Sequence, residues 1–213
     1  MRDNISVLRV TKLLFNLKNN TEVILTETIV PELSKETQAL VDGGVIVYPT
    51  EAVWGIGCDP KNQSAVETLL QLKNRPMDKG LILIANDYGQ LLPFVDDNKI
   101  PIHKRADIFS RWPGPVTWLL PAAEDAPVWV TGGSDLIAVR VTDHPTVKRI
   151  CREFGGPLVS TSANITGQPT PETISEVETV FGTGVTAYVD EALGGNTQPS
   201  QIIHGFTGEV MRS

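Results

Sequence analysis

The feature that most constrains this chain is a series of short, β-branched apolar runs: "VIVYP" (45–49), "LILIA" (81–85), "VTWLL" (116–120), "IAVRV" (137–141), "PLVST" (157–161) and "TAYVD" (186–190). Each is too short for a helix and is bounded by Gly, Pro, Asp or Asn, so each reads as a buried strand. Helical patterns lie between several of them. "PELSKETQALVDGG" (31–44) has Pro near a first turn, apolar Leu33, Ala39, Leu40 and Val41, and a Gly pair as its stop. "NQSAVETLLQLKNRP" (62–76) offers Asn62 as a cap, with Val66, Leu69 and Leu70 at helical spacing, before Pro76 ends it. Helices also fit 100–111, 145–154 and 171–181; Pro145 and Pro171 sit near two starts, and Gly155 and Gly182 follow the ends. Some intervals are too short for a crossover helix, so the sheet must mix parallel and antiparallel pairs. The fold class is α/β, a single domain with helices packed on a mixed sheet.

The 213 residues are 41% hydrophobic and 20% charged, which suits one domain with a substantial core. Residues 1–28 resemble nothing that follows and are read as an N-terminal extension to a domain spanning 29–213. Cys58 and Cys151 form no paired motif, so they read as reduced, buried thiols of a cytoplasmic protein. His103, His144 and His204 show no metal-ligand spacing. A net charge of −7 argues against a dedicated nucleic-acid coat but leaves room for a local basic cleft. No apolar run reaches the ~20 residues of a membrane span.

Several stretches carry candidate chemistry. "PTEAVWGIGCD" (49–59) follows a strand with Thr50, Glu51 and two glycines, Gly55 and Gly57. Thr50 could offer a hydroxyl at a strand end, and the glycines could admit a ligand to the backbone; a tight turn explains the same residues. "LKNRPMDKG" (72–80) brings Lys73, Arg75 and Lys79 close together. Lys73 lies seven residues after Val66, on the apolar stripe, so it must either snorkel outward or point into a cleft. The three cations read as a polyphosphate clamp, or as charges complementing a helix C-terminus. "RWPGPVTWLLP" (111–121) is a stiff entry to a strand.

In "IAVRVTDHP" (137–145), alternation places Ala138, Arg140 and Thr142 on one face. A buried Arg140 there needs a carboxylate or a ligand. Asp143 or His144 is expected to cap the next helix. "PLVSTSANITGQPT" (157–170) ends a strand in Ser160, Thr161, Ser162 and Asn164. With no neighbouring base and no GxSxG elbow, these groups read as hydrogen-bond donors, not nucleophiles; a plain polar loop is the alternative. No Walker A sequence occurs.

Taken together, "VIVYPTEAVWGIGCDP", "LKNRPMDKGLILIA", "FSRWPGPVTW", "AVRVTDHP", "PLVSTSANITGQP" and "PSQIIHGFTGEVMR" resemble, in order, the YrdC family in its short, bacterial TsaC-type form. The resemblance covers about 30–213. It implies a twisted mixed sheet around a deep concave cleft. It also implies conversion of L-threonine, bicarbonate and ATP to threonylcarbamoyl-AMP and pyrophosphate, with Mg²⁺ carried by ATP and no protein metal site. The product would pass to the machinery that modifies an adenosine of tRNA; direct contact with tRNA or double-stranded RNA stays open. By motif, Lys73, Arg75, Ser162 and Asn164 correspond to the family's basic-and-polar tetrad, with Lys73 and Arg75 in the catalytic role. Lys79, Arg140 and Arg212 correspond to further phosphate or carboxylate partners, and Thr50, His144, Ser162 and Ser200 to groups around threonine. The chain departs from the pattern at Ile84, Asn196 and His204. A non-enzymatic RNA-binding or ribosome-maturation factor is the alternative.

Overall fold

The computed structural model describes residues 32–212. The expected extension over 1–28 lies outside the described residues. The strands are β1 (Ile46–Pro49), β2 (Trp54–Gly57), β3 (Ile82–Ala85), β4 (Val116–Pro121), β5 (Leu136–Val141), β6 (Leu158–Ser162), β7 (Ala187–Tyr188), β8 (Gln201–His204) and β9 (Val210–Arg212). They form one sheet in the order β7-β1-β2-β6-β3-β5-β4-β8-β9. β1–β7, β3–β5 and β4–β8 are parallel pairs; the other neighbours are antiparallel. The mixed sheet expected from the short intervals is therefore present.

The helices are α1 (Lys35–Val41), α2 (Gln63–Leu72), α3 (Ile102–Ser110), α4 (Val128–Thr131), α5 (Pro145–Phe154) and α6 (Ile174–Phe181). Asn62 caps α2 as expected, its side chain accepting from the Ala65 amide. α6 starts later than its proline suggested, because Thr173 and Glu176 close a reciprocal capping box there. His144 takes the N-cap position of α5, but neither it nor Asp143 caps with its side chain. The His144 ring instead faces the Ala192 carbonyl at 3.2 Å, and Asp143 accepts from Lys148.

Strand alternation divides the core into two layers. Val47, Leu83, Trp118, Leu120, Val139, Val159 and Ile203 pack on one face with residues of α2, α3, α4 and α6. Ile46, Tyr48, Ile84 and Leu158 pack on the other with α1 and α5. Cys58 and Cys151 are free thiols, one in each layer. α1 and α5 cover only part of their face, and the uncovered part, toward β8 and β9, becomes the floor of a cavity.

Gly55 and Gly57 lie inside β2 rather than in a turn. A Cβ on Gly57 would sit 2.0 Å from the Val159 carbonyl oxygen and 2.8 Å from the Tyr48 hydroxyl. Gly57 therefore makes room for a buried tyrosine and a neighbouring strand, which corrects the expectation that it admits a ligand; Gly55 touches the Tyr48 ring and also borders the cavity.

Candidate active site

A cavity of about 500 Å³ opens on the face left bare by α1 and α5. Its floor uses alternate residues of neighbouring strands: Ser160 and Ser162 of β6, Ile82 of β3, Ala138 and Arg140 of β5, Leu119 of β4 and Ile202 of β8. These are the positions that period-2 alternation turns away from the other core layer. Thr50 and Glu51, from the end of β1, form one wall. Arg75, Lys79 and Gly80 form a second, and Gln198, Ser200 and Arg212 a third. Val130, Leu136 and Ile137 add an apolar side.

Seven of the ten candidate residues thus border one cavity: Thr50, Arg75, Lys79, Arg140, Ser162, Ser200 and Arg212. Lys73, Asn164 and His144 do not. Lys73 is buried, 2% exposed, and its ammonium donates to the carbonyls of Ser162 at 2.5 Å and Asn164 at 2.7 Å. Its own carbonyl accepts from the Thr166 amide. It does not snorkel outward; its ammonium is held by the backbone of the Ser162–Asn164 segment beside the cavity. Lys73 follows α2 as its C-cap, and its side chain grips the end of β6 and the loop after it.

Asn164 is tied into the same loop. The Ser162 hydroxyl donates to Asn164 Oδ1 at 2.6 Å, and Asn164 Nδ2 donates to the carbonyls of Ile165 and Gln168. Burial, with a smaller contribution from Arg75, lowers the Lys73 ammonium from 10.5 to about 8. Arg75 is half-buried and its guanidinium donates to the Gly80 carbonyl at 2.9 Å, which fixes the loop carrying Lys79.

Arg140 and Arg212 reach the cavity from different strands. Arg212 donates to the Ser200 carbonyl at 2.7 Å and to the Ser200 hydroxyl at 3.2 Å, while Ser200 and Thr117 share a hydroxyl pair at 3.1 Å. Burial and the nearby Arg140 both lower the Arg212 guanidinium below its ordinary value. Arg140 is lowered chiefly by burial, against an opposing pull from Glu51. That carboxylate lies 3.3 Å from the Arg140 guanidinium. Glu51 was not among the candidates. A buried Arg in a strand demands a carboxylate, but only the fold shows that the partner comes from the end of β1. Such a wall of cations and neutral donors can hold phosphate or carboxylate groups and compensate negative charge as it develops.

The Sua5/YciO/YrdC family model, described as "Telomere recombination", matches residues 38–213. The chain belongs to this family. A relative from Pseudoalteromonas translucida (strain TAC 125), named threonylcarbamoyl-AMP synthase, is 62% identical over 81% of this chain and 92% of its own length. Among solved members, P. abyssi Sua5 complexed with L-threonine superposes with a TM-score of 0.73 at 29% identity, covering 79% of this chain and 49% of the Sua5 chain. E. coli YciO superposes with a TM-score of 0.72 at 22% identity, covering 84% and 86% of the two chains, and supports the YrdC-like fold.

Proposed function

We propose that this Sua5/YciO/YrdC protein is a threonylcarbamoyl-AMP synthase, a nucleotidyltransferase that converts L-threonine, bicarbonate and ATP to threonylcarbamoyl-AMP, pyrophosphate and water. The observation that carries the reading is the convergence of Arg75, Lys79, Arg140 and Arg212 with Thr50, Ser162 and Ser200 on one cavity, in a chain 62% identical to a relative of that name.

The chemistry needs three small reactants and little covalent help. The threonine nitrogen, once deprotonated, bonds to the carbon of bicarbonate with loss of water, giving a carbamate. A carbamate oxygen then attacks the α-phosphorus, and the bond to pyrophosphate breaks. Charge grows on the α-phosphoryl oxygens and on the leaving group. Arg75, Lys79 and Arg212 are the cations assigned to the phosphates, and Arg140 to a carboxylate or phosphate oxygen. Thr50 and Ser200 are assigned to threonine. A buried site that pairs a substrate hydroxyl rejects an isostere lacking it, so valine would be excluded.

Lys73 acts in this reading through Ser162 and Asn164, whose loop it anchors. Among the described residues no cluster of three or more His, Cys, Asp and Glu could hold a metal ion. Mg²⁺ is assigned to the ATP phosphates. The product would be handed to the tRNA threonylcarbamoyl-transfer machinery. No helix among the described residues is long and apolar enough to cross a membrane.

The test is incubation with ATP, Mg²⁺, L-threonine and labelled bicarbonate. Label should enter an adenylate in step with pyrophosphate release, and valine should not replace threonine. Salt-sensitive RNA binding without nucleotide turnover would reject the synthase in favour of an RNA-binding factor.

A further inference from the structure

One wall of the cavity carries a carboxylate that none of the assignments above uses. Glu51 is 8% exposed, and Arg140, opposite it, is 7% exposed. Glu51 Oε1 accepts from the Thr142 hydroxyl at 2.6 Å and from the Asp143 amide at 3.4 Å. Thr142 lies two residues beyond Arg140, just past the end of β5, so Glu51 grips the end of that strand at two points. Its other oxygen, Oε2, is closed to solvent and, among the described residues, has no hydrogen-bond partner and one neighbour of opposite charge, the Arg140 guanidinium at 3.3 Å.

The backbone of Glu51 is held just as firmly. The Glu51 carbonyl accepts from the Asn196 amide, and the preceding Thr50 carbonyl accepts from Gly194. Gly194 passes so close that a Cβ there would sit 2.8 Å from the Glu51 Cα. Glu51 therefore joins the end of β1, the end of β5 and the segment leading to Ser200.

We infer that Glu51 is a positioning residue: its sealed carboxylate aims the Arg140 guanidinium at the cavity. The inference rests on the synthase reading only for the identity of the reactants. Three physical points support it. A buried guanidinium without a counter-charge is costly, and among the described residues Glu51 is the one ion-pair partner of Arg140. Arg212, across the cavity, repels Arg140, so the compensation cannot come from that side. Finally, Oε2 is closed to solvent, so the carboxylate serves Arg140 and not a substrate.

The experiment compares the wild-type chain, E51Q, R140Q and the double variant. Glutamine keeps the shape of Glu51 and an oxygen for Thr142 while removing the charge. Dispersed amide spectra establish that each variant is folded. The first readout is the Arg140 Nε–H correlation in an ¹⁵N spectrum, assigned by its loss in R140Q. In the wild type it should be a resolved signal shifted from that of free arginine. In folded E51Q it should move toward the free position or broaden away. The second readout is kcat/KM with KM for threonine and for ATP. E51Q should lose about 10-fold or more in kcat/KM, with the loss concentrated in the KM of one anionic reactant, and should add less than about 3-fold in the R140Q background, since groups acting through one another are not additive. An unmoved Arg140 signal in folded E51Q, or independent, additive losses, would overturn the inference. Failure of the wild type to make the adenylate would reject the synthase reading, while the Arg140 signal would still decide the role of Glu51. If E51Q does not fold, T142V, which keeps the charge but removes the hydroxyl that holds Oε1, should still move the Arg140 signal in a folded variant, and an unmoved signal would overturn the inference.

Discussion

Replacing Lys73 by Met removes an ammonium that is both buried and bonded, and the two consequences separate on a pH axis. At neutral pH the terms oppose each other. The fall of the Lys73 ammonium from 10.5 to about 8 corresponds to about 3 kcal/mol of unfavourable charge burial, which Met relieves. Met also leaves the carbonyls of Ser162 and Asn164 without their donor, a loss of about 1–3 kcal/mol each. The balance at about pH 7 is a change of no more than ~3 kcal/mol, so the variant should fold.

The pH slope is the sharper quantity. Below about 8, Lys73 is charged in both the folded and the unfolded chain, and its penalty is constant. Between about 8 and 10.5 the unfolded chain binds more protons than the folded one, so stability rises with pH. Above 10.5 both forms are neutral and the contribution levels off. Urea unfolding of wild type and K73M at about pH 7 and about pH 10 should therefore diverge, the wild type gaining ~2–3 kcal/mol relative to the variant. Taking the difference cancels the other groups that titrate in this range. Parallel profiles would refute the argument, because they would mean that Lys73 keeps an ordinary proton affinity and that its ammonium is not buried at the end of β6.

Other outcomes follow from the same geometry. Arg75→Ala and Lys73→Ala should each lower turnover at least ~100-fold in a pyrophosphate-release assay, Arg75 through a lost phosphate contact and Lys73 through a displaced Ser162–Asn164 loop; near-normal rates in both would reject the site. Gly57→Ala, whose Cβ would lie 2.0 Å from the Val159 carbonyl oxygen, should destabilise by about 3 kcal/mol or more, read as a lowered urea midpoint. Thr173→Ala removes the capping box of α6 and should cost about 1 kcal/mol with turnover unchanged, since α6 stands away from the cavity.

What the sequence showed depended on the range over which each residue's partner could be found. Strand runs such as 45–49 and 137–141 and the helix over 145–154 follow local periodicity, and the structure contains them. β2, β8, β9 and α4 were not anticipated. "WGIG" reads locally as a glycine turn, because its glycines answer to Tyr48 and Val159 on other strands. "QIIH" and "VMR" are short pieces that become strands by pairing with β4 and with each other, and α4 is a single turn.

The site divides in the same way. Alternation along β5 and β6 gives Arg140 with Ala138, and Ser160 with Ser162, one shared face each, and the fold shows that these residues border the cavity. The helical period that makes Lys73 a buried residue also fixes which side of the sheet it approaches, but that side is defined only once α2 is docked. A cation in an apolar helix stripe is therefore half of a structural statement. The other half is what the stripe meets, and here its last residue meets the end of β6 and the loop after it. The motif still groups Lys73 with Ser162 and Asn164, because the Lys73 ammonium bonds the backbone of both. Glu51 marks the far end of this scale: nothing in "PTEAV" distinguishes it from a turn carboxylate, and its meaning comes from Arg140 on, and Thr142 just after, a strand that pairs with neither β1 nor β2.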